Sequence, residues 1–137
     1  MALAELDCIM HLVAPGGLAI PVTTHATYDS QDPYGVRVTF YPGEHAPVSW
    51  VFARDLLAEG TVRPSGFGDV RIWPGRADQT GLLFLKLSSF DGQALFTVPM
   101  DLVTPWLCRS YHLVPAGLEG ASLDLDGELS RLLGEVA

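Results

Sequence analysis

The residues able to do chemistry in this chain are few and dispersed. Four histidines, His11, His25, His45 and His112, occur singly, with no i, i+4 pair and no Cys or Glu beside them in a ligand spacing, so no metal site is expected. Cys8 and Cys108 are far apart and form no C-x-x-C, which reads as two buried free thiols of a reducing compartment. Ser88-Ser89 ends a strand instead of sitting in a G-x-S-x-G elbow. Gly66-Phe67-Gly68 is a lone G-x-G that feeds a strand, without the helix N-terminus that would hold a phosphate. Asp124-Leu125-Asp126-Gly127 has the acids of a calcium loop, but its glycine comes at the fourth position instead of the sixth and the leucine pattern there calls for a helix. No catalytic residue and no cofactor are expected.

What remains is binding chemistry. Arg54, Asp55 and Glu59 are charged positions on a short helix, and Arg71 and Trp73 share the polar side of a strand whose other side carries Val70 and Ile72. These five are the candidate partner contacts. A plain solvated helix face would account for the charged trio equally well. Trp73 needs either a covering element or a partner, because a large ring on a polar face is unusual outside contact sites.

The elements that position these residues are legible from periodicity. Val48, Trp50 and Phe52 alternate with Ser49, Val51 and Ala53, giving a strand that passes at Arg54 into a helix of one or two turns contacting the core through Leu56 and Leu57. Gly60 is expected to end that helix in the left-handed conformation. Trp50 and Phe52 are expected in the core; each ring buried contributes at most roughly 4–6 kcal/mol. Upstream, the segments around Leu6–Leu12 and Ile20–Tyr28 alternate as an antiparallel pair across Pro15-Gly16-Gly17, and Val36, Val38 and Phe40 face inward on a third strand. Downstream, Leu82 to Leu87 is apolar on both sides apart from Lys86, as in a strand covered on both faces, and Asp91-Gly92 suits a hairpin turn into Ala94, Phe96 and Val98. A helix is expected from Thr104 as N-cap and Pro105 as first residue, with a start nearer Asp101 as the alternative. Leu125, Leu129, Leu132, Leu133 and Val136 give a second, amphipathic terminal helix. The fold class is α+β: a mainly antiparallel β-sheet of about seven strands, a short inserted helix and two C-terminal helices, in one domain over residues 1–137.

Bulk properties narrow the partners. The net charge of −8 argues against broad phosphate-backbone binding, although five of the eight basic residues fall between Arg37 and Arg76. No run of about 20 apolar residues could span a bilayer, and Glu5 and Asp7 interrupt any secretory signal. Yet 48% of the residues are apolar and only 18% charged. An oligomer interface is the expected way of hiding that surplus.

The stretch from Val48 through Gly60, followed by Arg63-Pro64-Ser65-Gly66 and then Gly68 through Pro74, resembles the SsgA-like family of sporulation and cell-division proteins of filamentous actinomycetes. Tyr28-Asp29, Asp32-Pro33-Tyr34, Val38-Thr39-Phe40, Leu87-Ser88-Ser89 and Ala94-Leu95 extend the resemblance, while the N-terminal strand and Pro99 to Glu119 match less. The resemblance implies a non-enzymatic regulator of septum placement that works through protein–protein contacts. It also implies FtsZ, the tubulin-like division GTPase, and SsgA-like paralogues as partners, a cytoplasmic protein located at division septa, a Whirly-like fold and a homotrimer. The Whirly-like fold is shared with single-stranded nucleic-acid-binding proteins, so a nucleic-acid-binding module is the alternative. The acidic charge weighs against it, and no nucleic acid is expected.

Overall fold

The computed structural model describes residues 2–120. Seven antiparallel strands form one sheet: β1 (Leu3–Val13), β2 (Ala19–Asp29), β3 (Gly35–Tyr41), β4 (Val48–Ala53), β5 (Val70–Ala77), β6 (Thr80–Ser89) and β7 (Gly92–Pro99). Helix α1 (Arg54–Gly60) follows β4 directly, and α2 (Met100–Leu113) follows β7. The sheet order is β4-β3-β2-β1-β7-β6-β5. It consists of two meanders, β1 to β4 and β5 to β7, joined where His11 and Leu12 of β1 pair with Thr97 and Phe96 of β7. The amphipathic helix expected over 125–136 lies outside the described residues.

Alternation assigns one face of every strand to the core. Met10, Val22, Ala26, Tyr28, Val36, Val38, Phe40, Ile72, Leu83, Leu85, Leu87, Phe96 and Val98 are buried on that side. Phe40 and Phe96 stack with ring centroids 4.1 Å apart, although β2 and β1 lie between their strands. In a flat sheet three strand spacings would separate them by about 14 Å. The sheet is therefore strongly curled around its core face. Helix α2 closes that face through Val103, Trp106 and Leu107. The Trp106 indole Nε1–H donates to the Ala4 carbonyl at 2.8 Å, which docks the helix on β1.

Several expectations need correction. Helix α2 begins at Met100, at the alternative start near Asp101 and not at Thr104, so Pro105 lies inside it. The early start brings Val103 into the core at the cost of the hydrogen bond that Pro105 cannot donate. Gly60 is the last residue of α1 and has no positive φ; the cap is Thr61, in right-handed geometry. Glycine is required there by contact, since a Cβ would stand 2.4 Å from a methyl group of Ile72. In the β6–β7 hairpin Ser89 pairs with Gly92, so the turn residues are Phe90 and Asp91, one position earlier than expected. A second tight turn, unexpected from sequence, joins β5 to β6 through Asp78 (φ 55°) and Gln79. Finally, β6 is covered on one face only: Leu83, Leu85 and Leu87 are buried, while Leu82, Phe84 and Lys86 are half-exposed on the other.

Candidate functional site

Arg54 does not lie on a solvated helix face. Its side chain is 1% exposed, and the guanidinium is held between the rings of Tyr28 and Tyr111, at 4.5 and 3.9 Å from their centroids. Nη1 donates to the Ser110 carbonyl at 2.9 Å, and Nη2 to the Glu119 carboxylate at 2.8 Å. A cation placed on a carbonyl of the last turn of α2 is favoured by the helix dipole. The Arg54 amide in turn donates to the Tyr34 carbonyl, and the Tyr28 hydroxyl to the Pro33 carbonyl, both across the loop after β2. Arg54 is therefore an internal clamp and not a partner contact. Sequence alone placed it outward because a lone Arg after a strand is normally solvated, and the rings and carboxylate that accommodate it are remote in the chain.

The ionisable groups of this clamp are tuned by it. The Glu119 carboxyl is held below the usual range by its own backbone amide and by the Arg54 guanidinium. Burial raises the phenols of Tyr28 and Tyr111, against the opposing pull of Arg54. Each of these shifts arises from packing around one cation.

Asp55 and Glu59 remain exposed on α1, where Asp55 accepts a long hydrogen bond from the Tyr111 hydroxyl (3.4 Å) and Glu59 meets Arg63 at 3.5 Å. Glu59, Arg71 and Trp73 converge on one groove of about 420 Å³ between the 64–67 loop and the outer face of β5 and β6. Ser65 holds the loop there by exchanging backbone hydrogen bonds with Ile72. Trp73 is half-buried because it stacks on Phe84, with centroids 5.6 Å apart and planes 4° from parallel. Lys86, Phe84 and Phe67, which belong to this surface, were not singled out from sequence. The signal was the pairing of β5 with β6, which sets Arg71 opposite Lys86 and Trp73 opposite Phe84.

Trp50 departs from the core expectation, while Phe52 meets it. Phe52 is buried, but Trp50 is only half-buried, because the curl of the sheet opens beside it. The ring lines an apolar cavity of about 350 Å³ with Leu12, Val22, Phe40, Leu87 and Phe96. On the outer face His25 Nδ1 meets Asp7 at 2.6 Å and Nε2 meets Glu5 at 3.5 Å. Among the described residues no group of three His, Cys, Asp or Glu side chains is placed to hold a metal ion. The thiols are free, with Cys8 half-buried and Cys108 exposed, not both buried as expected. Among the described residues no helix is long and apolar enough to cross a membrane.

The sequence profile of a family described as "Streptomyces sporulation and cell division protein, SsgA" matches residues 22–119. The chain belongs to the SsgA family. The match begins at β2, leaving β1 outside it, and reaches Glu119, so Tyr28, Arg54, Tyr111 and Glu119 all fall within the family region. Among relatives, the chain is 45% identical over 132 residues to "Sporulation-specific cell division protein SsgB" of Streptomyces coelicolor, covering 95% of this chain and 96% of that one. It is 44% identical over 132 residues to the SsgB of Salinispora tropica, covering 94% and 92%. Among solved structures, an SsgA-like sporulation-specific cell division protein from Thermobifida fusca superposes with a TM-score of 0.87 at 36% identity, covering 95% of each chain. A structure described as "Mutations in SsgB correlate to longitudinal cell division during sporulation of Streptomyces coelicolor" gives 0.84 at 41% identity, covering 88% of this chain and 94% of that one. The fold of this SsgA-family chain is thus the SsgB fold, and its relatives carry names from sporulation-specific cell division.

Proposed function

We propose that this chain is a non-enzymatic regulator of sporulation-specific cell division, which places septa by binding other division proteins. Its partners in this reading include FtsZ and SsgA-like paralogues. It works as a homo-oligomer, a trimer by the family resemblance, in the cytoplasm at the sites of septation. The observation that carries the reading is the 45% identity, over almost the whole of both chains, to a protein named for sporulation-specific division. The geometry supports it. The shifted ionisable groups around Arg54 are spent on internal structure, whereas the groove at Arg71 and Trp73 faces outward.

Single-stranded nucleic-acid binding, which a Whirly-like fold would suit, has the net charge of −8 against it. The deciding experiment is genetic. Deletion should disturb septum placement in sporulating hyphae, and a fluorescent fusion should gather at septation sites. A fusion that stays diffuse in a strain whose septation survives deletion would end the proposal.

A further inference from the structure

Opposed like charges on a sheet face destabilise it, and Arg71 and Lys86 form such a pair, in register on β5 and β6. Among the described residues neither has a carboxylate within ion-pair distance; Glu59, which lines the same groove, lies 3.5 Å from Arg63 instead. The next rung along is Trp73 opposite Phe84, its rings held flat by stacking. Gly75 makes that possible, since a Cβ there would stand 2.4 Å from the Phe84 ring. Above this floor stands Phe67, 97% exposed, between Gly66 (φ 96°) and Gly68 (φ 82°). Two glycines in left-handed geometry set the loop so that a bare phenyl ring lines the same groove. A pair of cations without a carboxylate partner among the described residues, beside an aromatic slot that none of those residues covers, on a protein of net charge −8, is a local violation of folding economy of the kind that marks a contact site.

We propose that this groove holds an acidic peptide segment of a division partner, one carboxylate side chain lying between Arg71 and Lys86 and a neighbouring aromatic or large aliphatic side chain entering between Phe67 and Trp73. The proposal rests on the protein-binding reading above and assigns it a surface and a partner chemistry. A carboxylate can accept from both cations at once, which removes their mutual repulsion as well as forming two charge-assisted contacts. The aromatic slot gives the selectivity that charge alone does not.

The test uses the full chain and a short fluorescent peptide of Asp and Glu residues around a single Phe, followed by anisotropy. Binding should weaken as salt is added, and should weaken about tenfold or more for Arg71→Glu/Lys86→Glu. Phe67→Ser, which removes a ring standing in solvent, should weaken it without changing the unfolding midpoint. A peptide with Lys in place of Asp and Glu should not bind. Equal binding by the double variant, or by the Lys peptide, overturns the proposal. So does preference for a single-stranded oligonucleotide over the peptide, displacement of the peptide by one with the sequence of residues 121–137, or loss of self-association in the double variant. In cells, normal septation with Arg71→Glu/Lys86→Glu but not with the deletion defeats the groove and leaves the division role standing. Normal septation in both defeats the two together.

Discussion

Arg54 and Glu119, 65 positions apart, meet at 2.8 Å in the interior, with the guanidinium between two tyrosine rings. The contact joins the start of α1 to the chain beyond α2, and the same arginine reaches the carbonyl of Ser110. One residue, through its side chain and its backbone amide, thereby ties the loop after β2, the short helix and the end of the long helix to each other. The positions Tyr28, Pro33, Tyr34 and Arg54, scattered through the family resemblance, converge here.

Removing one partner of a buried pair strands the other, at a cost of about 3–5 kcal/mol. Arg54→Ala should therefore lower the unfolding free energy measured by urea denaturation by an amount in that range. Arg54→Lys should recover only a minor part, because an ammonium has neither the planar faces for the two rings nor the fork for two acceptors. A loss below about 1 kcal/mol for Arg54→Ala, the level of a surface pair, would show that solvent replaces the contact.

The clamp also predicts an acid limit. The folded Glu119 carboxyl titrates below its ordinary value, so the unfolded chain takes up its proton first as pH falls. The stabilisation is fully present above the unfolded Glu value of about 4.3 and is lost as pH drops through the folded value. Thermal melts across that range should show the decline, and Glu119→Gln should remove this contribution to the slope. An identical slope in both proteins would assign acid sensitivity to other carboxylates.

Gly60→Ala should destabilise although alanine is the better helix former. The added methyl would enter the Ile72 side chain, and overpacking of this kind costs about 1–3 kcal/mol. Chemical denaturation reads the sign directly; a gain in stability would mean that α1 can shift away from β5 without loss.

Phe52 and Trp50, two positions apart on one strand face, should respond differently. Phe52→Ala should cost about 3–5 kcal/mol as a core truncation. Trp50→Ala should cost less, because its ring is half-exposed at the mouth of the apolar cavity. Equal losses in paired unfolding curves would show that the cavity mouth is closed in solution.

The strands were legible because alternation needs only local sequence: Val36, Val38 and Phe40 announce their buried face without reference to any neighbour. Of the two starts open to helix α2, Pro105 favours the later one as a first position, but the earlier one near Asp101 prevails because it buries Val103. The glycine at position 60 ends a helix as its sequence position suggests, but what demands it there, the Ile72 side chain, belongs to a later strand. The candidate site divided in the same way. Trp73 and Arg71 could be assigned to a polar strand face from parity, whereas Lys86 and Phe84 joined them only through strand register. The Arg54 clamp left no local trace, as all its partners are remote in sequence.

The seam between β1 and β7 bears on how the protein comes off the ribosome. Strand β1 is the first of the described strands to be synthesised, yet one of its two neighbours, β7, is the last of them, and β1 waits for α2 before Trp106 can reach Ala4. A nascent chain carrying only the first meander must therefore present an unpaired β1 flank to solvent throughout the translation of β5 and β6.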